Sequence, residues 1–267
     1  MENIKTITLL NVSKADLRNP ICIQGMPGIA DIGKFAVDQL IGLLKAKKFQ
    51  EIIFNDYPAG AIIDNSLLST PKAEILFWKD PQDKQDIFFI TADAQAMSPK
   101  GIYEISDFLV NFLNDYGIKL VISLGAFPVK KSASLSNVFV TATTERRILE
   151  FINNYECARV KKGVIIGANG LVPTLAHAFY KIEGVVLLAE TDNTALMNDD
   201  ITDLNASVNL LKLIGKFLGL SILDKFSPQK IQEMTKNLEI KKKMLEEEIE
   251  TFQPIAETSE GQKSLYI

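Results

Sequence analysis

The runs "LVISLG" (120–125) and "VVLLAE" (185–190) decide the fold, because both are apolar at nearly every consecutive position instead of alternating with polar residues. This pattern is typical of strands that are buried on both faces, as they are in a parallel sheet. Other short runs share their length and their β-branched or aromatic composition. These further predicted strands are 21–24, 51–56, 74–78, 86–91, 137–143 and 163–168.

Helical patterns lie between many of these runs, and the alternation predicts the fold class. Strands that alternate with helices imply crossover connections, and hence a mostly parallel central sheet with helices on both faces, a three-layer α/β/α fold. The stretch 51–91 has strand-like runs without a helix between them and is expected to add antiparallel strands. The predicted helices are 29–46, 99–116, 144–155, 170–181 and 200–219.

The alternation of strand-like and helical patterns stops after residue 225, and the chain divides into three predicted parts. Residues 1–225 form the predicted α/β core domain, and residues 226–252 an extended amphipathic helix. Ser227 is placed as the N-cap of that helix, and Pro228 suits its first turn. Residues 253–267 contain Pro, Gly and Ser without periodicity, so a flexible, disordered tail is expected there.

The helix predicted over 226–252 carries a narrow apolar stripe on a surface rich in Lys and Glu. At ~100° per residue the stripe covers roughly 60° of the helix surface. The stripe either packs on the core or pairs with a second copy or another subunit, and the sequence leaves both open. Lys241 and Glu248 occupy heptad positions that a regular coiled coil would fill with apolar residues. The stripe consists of Ile231, Met234, Leu238, Leu245, Ile249 and Phe252.

Composition and charge exclude several classes of protein. A net charge of -4 and a pI near 5.3 argue against a general nucleic-acid binder, which would carry a basic excess. Cys22 and Cys157 are too far apart in sequence to indicate a disulfide framework or a zinc site. The sequence shows no signal peptide and no apolar run long enough to span a bilayer. We expect a cytoplasmic protein without a metal ion or a cofactor.

The stretch "QGMPGIADIGKF" (24–35) contains G-x-x-x-x-G-K from Gly28 onward, most of a phosphate-binding P-loop. Phe35 stands where the motif needs a hydroxyl to hold magnesium. The helix is expected to begin near Ile29, which would remove the backbone cradle for a phosphate. The favoured interpretation is a tight strand-to-helix turn, in which Gly33 lets the helix approach the sheet closely. A nucleotide- or nucleoside-processing enzyme that uses this loop remains the alternative.

Other candidates for catalysis are weak. His177 is the sole histidine, and its apolar neighbours on a predicted helix favour packing in the core over catalysis. The charged turn 145–147 ("ERR") is expected to be solvated. Asp199 or Asp200 is expected to cap the helix that begins near residue 201, in preference to a metal or acid–base role. No catalytic residue is therefore predicted. The carboxylates considered for such a role cluster in the stretch 189–203 and are Glu190, Asp192, Asp199, Asp200 and Asp203.

Three motifs together resemble the proteasome assembly chaperone family, second type. They are "IQGMPGIADIGKFAVDQL" (23–40), "ISLGAFP" (122–128) and "GVIIGANGLVPTLAHAFYKIEGVVLLAET" (163–191). The resemblance covers roughly residues 5–222, with "GANG" standing where the family often has "GLLG". It implies a fold related to nucleoside phosphorylases that binds proteins instead of catalysing a reaction, and it implies homo-oligomers.

The last three residues also match this family. Leu265-Tyr266-Ile267 resembles the C-terminal hydrophobic-Tyr-X tripeptide of some archaeal members, which act on the 20S proteasome as assembly chaperones or ATP-independent activators. The resemblance implies docking between α-ring subunits, where the terminal carboxylate pairs with a lysine. Tyr266 would add aromatic area, and burial of Leu265 would contribute about 1.5–3 kcal/mol. Several tails on one oligomer would gain avidity. The sequence does not distinguish an assembly chaperone from an activator. Besides the proteasome-binding protein and the enzyme, a generic coiled-coil scaffold is a third class of function.

Overall fold

A nine-stranded sheet is the frame of the computed structural model, which describes residues 3–129, 137–192 and 203–220 together with Glu233, Lys236 and Ile240. The strands are β1 (Ile4–Thr8), β2 (Ile21–Gly25), β3 (Lys47–Phe54), β4 (Ile62–Asp64), β5 (Leu67–Ser69), β6 (Ala73–Trp78), β7 (Ile87–Ala92), β8 (Leu120–Val129), β9 (Val138–Ala142), β10 (Ala158–Arg159) and β11 (Glu183–Asp192). The helices are α1 (Ile32–Leu44), α2 (Pro99–Asp115), α3 (Glu145–Tyr155), α4 (Ala168–Tyr180) and α5 (Leu204–Phe217).

The centre of the sheet is parallel and its flanks are largely antiparallel. Its strand order is β1-β3-β6-β7-β2-β8-β11-β9-β10. The four central strands β7, β2, β8 and β11 run parallel, whereas β1, β3, β6 and β7 pair antiparallel in succession. Strand β9 runs antiparallel to β11, and β10 pairs parallel with β9. The antiparallel strands predicted within 51–91 are therefore present, but β1 was missed by the sequence analysis.

Helices cover both faces of the sheet, which confirms the predicted three-layer fold. Helices α1, α3 and α5 contact one another or the sheet on one face, and α2 and α4 pack together on the other. Beneath α2, Phe88 lies between Phe49 and Phe112, with ring centroids 5.8 Å and 5.3 Å away. On the opposite face the ring of Phe151 in α3 stacks on Phe217 of α5 at 5.5 Å. Each layer thus has its own aromatic contacts.

The turn between β2 and α1 differs from the expected one. Residues Ile29–Asp31 form a 3-10 turn, and α1 begins at Ile32 and not near Ile29. The reason is the backbone at Ala30 and Asp31, whose φ angles of 46° and 47° lie in the left-handed region and interrupt α-helical geometry. Gly33 makes the predicted close approach, because a Cβ there would lie 2.0 Å from the carbonyl oxygen of Leu124.

The strand predicted over 163–168 is absent, which corrects the sequence analysis. Residues 163–167 are irregular, and α4 already begins at Ala168. The neighbouring strand β11 is paired with β8 along one edge and with β9 along the other, so it has no free edge for this run to join. Val164 and Ile166 are 87% and 83% exposed. The apolar pattern was real, but it does not mark a buried strand.

The cap of α5 also differs from expectation. Helix α5 begins at Leu204, and the carboxylate of Asp203 accepts a hydrogen bond of 3.0 Å from the amide of Ala206. A carboxylate at this position satisfies a free amide and complements the helix dipole. Asp199 and Asp200, the residues expected to cap this helix, lie outside the described residues.

The contacts between residues divide the chain into the units Met1–Ser227 and Pro228–Ile267. In the second unit Glu233, Lys236 and Ile240 are helical and exposed, and their spacing of three and four places them on one side of a helix. The helix over 226–252 and the tail over 253–267 otherwise stay predictions. Over the part of the chain that the structure describes, no helix has the length and apolar character needed to cross a membrane.

Candidate functional site

A groove of about 990 Å³ opens where the central strands β2 and β8 end at their carboxyl edge. It continues along the face of β11 that is turned toward α4, and the segment 160–166 forms its outer wall. The carboxyl edge of a parallel sheet is where α/β proteins commonly bind ligands and partners. This groove is therefore the strongest candidate site within the described part of the chain.

The wall of the groove near β2 is held by the side-chain amide of Asn169, at the start of α4. Its Oδ1 accepts a hydrogen bond of 3.0 Å from the amide of Met26, and its Nδ2 donates one of 3.0 Å to the Met26 carbonyl. Gln24 is fully buried and donates through Nε2 to the carbonyl of Ala168 at 2.9 Å. These bonds fix the turn after β2 to α4. The buried Oε1 of Gln24 has no hydrogen-bond partner within the described residues.

Gln95 joins the same two segments from the side of β7. Its Nε2 donates to the carbonyl of Pro27 at 2.6 Å, and its Oε1 accepts from the amide of Ala168 at 3.0 Å. Gly167 has a φ of +88° and leaves room for this amide, since a Cβ there would lie 2.4 Å from Oε1 of Gln95. The groove wall is thus rigidly built from neutral amides.

The lining of the groove suits contacts with apolar groups better than proton transfer. Among the described residues that line it, the charged side chains are Lys161 and Lys162, and there is no carboxylate, histidine or cysteine. General acid–base and nucleophilic catalysis commonly depend on such groups. Val164 and Ile166 stand exposed on the outer wall. The groove thus presents exposed apolar groups beside two lysines.

The loop 24–35 does not form a phosphate cradle. The ammonium of Lys34 lies 2.7 Å from the Asp38 carboxylate and 3.4 Å from the Thr91 hydroxyl, along α1. The amide of Gly28 donates to the Asp31 carboxylate at 3.2 Å, where a P-loop would offer its amide to a phosphate. The geometry agrees with the interpretation of this stretch as a strand-to-helix turn.

The remaining titratable candidates are built into the fold. His177 is half-buried on α4, and its Nδ1 has no hydrogen-bond partner within the described residues. Burial raises the pKa of the Cys22 thiol and raises that of Cys157 to about 12, so both thiols are neutral near pH 7. The buried carboxylate of Glu190 accepts a hydrogen bond of 2.7 Å from Asn137.

The charged turn 145–147 is an ion-pair cluster and not the merely solvated turn that was expected. Nη2 of Arg147 lies 2.9 Å from the Glu183 carboxylate, and its Nη1 lies 2.8 Å from Glu150. Arg146 also pairs with Glu183. Partial burial by itself would raise the pKa of the Glu183 carboxyl, but the hydrogen bonds and charges of the two arginines outweigh it and lower that pKa. The cluster ties α3 to the start of β11.

The part of the chain that is described contains no group of three or more His, Cys, Asp or Glu side chains that could hold a metal ion. Thr191 donates a hydrogen bond of 2.8 Å to Asp203, which leaves that carboxylate serving the cap of α5. Of the carboxylates gathered near 189–203, Glu190 and Asp203 are thus hydrogen-bonded within the fold.

The residues predicted from sequence to bind partners are not among the described ones. This holds for the tripeptide Leu265, Tyr266 and Ile267, which therefore stays a prediction. The sequence analysis did not assign Val164 and Ile166 to a site, although the pattern "KKGVIIG" (161–167) contained a signal. An apolar run flanked by lysines and glycines can be a surface loop as well as a strand. The stripe residues Ile231, Met234, Leu238, Leu245, Ile249 and Phe252 likewise lie outside the described residues.

Comparison with known proteins places the chain in a family. The model of the PAC2 family matches residues 22–253. A Methanocaldococcus jannaschii protein, MJ1210, is 27% identical over 252 residues, with 94% of this chain and 93% of that protein covered. The crystal structure of PbaB from Pyrococcus furiosus, an archaeal proteasome activator, has a TM-score of 0.77 at 26% identity and covers 92% of this chain and 100% of its own.

A second solved structure has the same fold. The crystal structure of Pyrococcus furiosus PbaA, an archaeal homolog of proteasome-assembly chaperone, has a TM-score of 0.69 at 21% identity, over 93% of this chain and 94% of its own. The family model covers most of the sequence, and the two solved structures share the overall fold. The chain belongs to the PAC2 family.

Proposed function

We propose that this protein binds the 20S proteasome without ATP and acts there as an assembly chaperone or an activator. The observation that carries the proposal is the similarity to PbaB, an archaeal proteasome activator, which is 26% identical and is matched over 100% of its chain at a TM-score of 0.77. The similarity to PbaA extends the same fold to a homolog of proteasome-assembly chaperone. The groove has no carboxylate, histidine or cysteine among its described lining residues, and its exposed apolar groups are consistent with a binding protein.

Docking is assigned to the C-terminal tripeptide Leu265-Tyr266-Ile267, which inserts between neighbouring α-subunits of the 20S ring. The terminal carboxylate supplies charge, Tyr266 an aromatic ring and a hydroxyl, and Leu265 an aliphatic side chain. Three residues bind weakly after the cost of ordering them is subtracted. A cytoplasmic homo-oligomer that presents several tails raises the effective concentration of each tail at the ring.

The test is surface-plasmon binding of the full-length protein to cognate 20S proteasome and to free α-subunits. A variant that lacks residues 265–267 and the single variant Tyr266→Ala are compared with Ser264→Ala, a matched change two residues earlier that keeps the tripeptide. We expect the wild type and Ser264→Ala to bind alike. The truncated protein and Tyr266→Ala are expected to lose at least tenfold in affinity.

The same measurement separates the two roles. Tighter binding to free α-subunits indicates an assembly chaperone, whereas tighter binding to finished 20S particles, with faster peptide hydrolysis, indicates an activator. Equal binding by the wild type and the truncated protein would refute docking through the tail. No binding by any of them would refute the proteasome as partner.

A further inference from the structure

A protruding hairpin stands apart from the nine-stranded sheet. Strands β4 and β5 form a two-stranded sheet of their own, and residues 63–70 are all exposed. The two turn residues, Asn65 and Ser66, have φ angles of 48° and 65°. Positive φ at both central residues is characteristic of a tight two-residue hairpin turn. An isolated two-stranded hairpin of this kind is at best marginally stable in water.

The hairpin carries large apolar side chains where solvent would favour polar ones. Ile63, Leu67 and Leu68 are 71%, 73% and 74% exposed. Ile63 and Leu68 are directly paired in the antiparallel register, so their side chains share one face of the ribbon. Clustered apolar groups on a protruding ribbon are typical of a surface that contacts another molecule.

The groove offers a complementary surface on the same chain. Its outer wall presents Val164 and Ile166, the two most exposed large apolar side chains among the described residues. The neighbouring Lys161 and Lys162 make no ion pair with any described residue, while Asp64 stands at the tip of the hairpin with only an Asn65 amide, at 3.2 Å, as its hydrogen-bond partner. The two surfaces are thus complementary in character. Both carry exposed apolar side chains, and the hairpin has an acidic residue where the groove has two lysines.

The topology allows this contact between two copies. The hairpin joins the end of β3 to the start of β6, and the register Ala73–Ala92 places it at the carboxyl edge of β7. The groove opens at this same edge, but over β2, β8 and β11, farther along the strand order. No hairpin residue lines the groove of its own chain. Hairpin and groove thus lie along the same edge of the sheet, with β7 between them.

We propose that the hairpin of one copy of this chain seats in the groove of a second copy. Ile63 and Leu68 pack against Val164 and Ile166, and Asp64 lies beside the two lysines of the rim. This inference deepens the proposed function, because it rests on the homo-oligomer that presents the tails. It assigns self-association to the core, and proteasome docking to the tripeptide 265–267.

The first test compares single Leu→Lys and Ile→Lys variants of the full-length protein by sedimentation velocity at micromolar concentration. Leu68→Lys places a charge on the hairpin, and Ile166→Lys places one on the groove wall. Leu149→Lys is the matched control, because Leu149 is 45% exposed on α3, across the sheet from the groove. We expect the oligomer to persist in the wild type and the control. The other two variants are expected to sediment as smaller species, with at least tenfold weaker association and unchanged thermal unfolding of the core.

The second test identifies the contact directly by disulfide formation between two different variants. Leu68→Cys and Ile166→Cys are mixed under mild oxidation, and the native thiols Cys22 and Cys157 contribute little background because both are buried. The mixture is expected to form a disulfide-linked dimer that neither variant forms alone. Leu149→Cys mixed with Ile166→Cys is expected to form none.

Each remaining outcome overturns the inference. An oligomer that persists in Leu68→Lys and Ile166→Lys would place self-association elsewhere, and a monomeric wild type would abolish it. If removing residues 265–267 alone dispersed the oligomer, self-association would depend on the tail and not on the hairpin. Binding of the same variants to immobilised 20S proteasome keeps the two proposals apart. If the wild-type protein forms the hairpin contact but does not bind 20S proteasome, only the proposed function is refuted. If it binds 20S proteasome without the hairpin contact, only this inference is refuted.

Discussion

At the scale of single residues, Glu183 shows how charge is used in this fold. Glu183 is the first residue of β11, and its carboxylate forms ion pairs with Arg146 and, at 2.9 Å, with Arg147. It also accepts a hydrogen bond of 3.2 Å from the hydroxyl of Thr144. Only 20% of its side chain is exposed, so the pair is screened less by solvent than the usual surface ion pair. The arginines lower the pKa of this carboxyl in the folded protein.

We expect Glu183→Gln to destabilise the core by about 1–2 kcal/mol at pH 7, because the hydrogen bonds to a charged group are lost. A lowered folded-state pKa stabilises the protein above the ordinary glutamate value of about 4.3, and that stabilisation disappears as the pH falls through the lowered value. Urea unfolding at pH 7 and pH 3 is the measurement, and the difference in stability between wild type and variant should be smaller at pH 3 than at pH 7.

Glu104→Gln is the control, because Glu104 lies 3.5 Å from a largely exposed Lys100 on α2. Its cost at pH 7 is expected to be below about 0.5 kcal/mol. A difference between Glu183→Gln and the wild type that stays the same at pH 3 would show that packing, and not charge, is responsible.

At the scale of elements, the distance between α1 and the sheet is set by Gly33. The approach is so close that a Cβ would lie 2.0 Å from the Leu124 carbonyl oxygen, which belongs to the backbone of β8 and cannot rotate away. Gly25 at the end of β2 makes a similar approach, 2.5 Å from the carbonyl of Gly33. Both glycines lie near the groove, so this contact also fixes the groove wall.

Gly33→Ala is expected to destabilise the core by about 3 kcal/mol or more, because overpacking against backbone forces the whole helix to move. Gly42→Ala is the matched control on the same helix, where a Cβ would meet nothing within 4 Å. That change should stabilise the protein by up to about 1 kcal/mol through helix propensity. Chemical denaturation of the two variants is the measurement, and similar effects of both would contradict the close approach.

Most elements of this fold could be predicted from sequence, because a strand that is buried on both faces needs apolar residues at consecutive positions. Strands β8 and β11 and helices α2 and α3 begin and end within a few residues of their predicted limits. The prediction of a strand over 163–168 failed because both edges of β11 are already paired, by β8 and β9, so this apolar run forms an irregular segment. The polar network of Asn169 and Gln95 was not predictable either, because it joins segments far apart in sequence.

At the scale of the whole molecule, self-association and docking are assigned to different segments of the chain. The proposed contact between copies uses the hairpin and the groove, both inside the unit Met1–Ser227. The tripeptide 265–267 belongs to the unit Pro228–Ile267. The change in amino-acid composition after residue 225 falls close to the boundary between these two units.

A chain that ends at Lys225 should therefore keep its number of subunits and unfold within a few degrees of the full-length protein, yet lose binding to the 20S proteasome. Its core retains all three layers, because α5, the last described helix of the first unit, ends at Phe217. Light scattering, calorimetry and surface-plasmon binding of the truncated and full-length proteins measure the three properties separately. A truncated chain that is monomeric would instead assign self-association to residues 226–252 and their apolar stripe. The hairpin would then be left without a second copy to cover it.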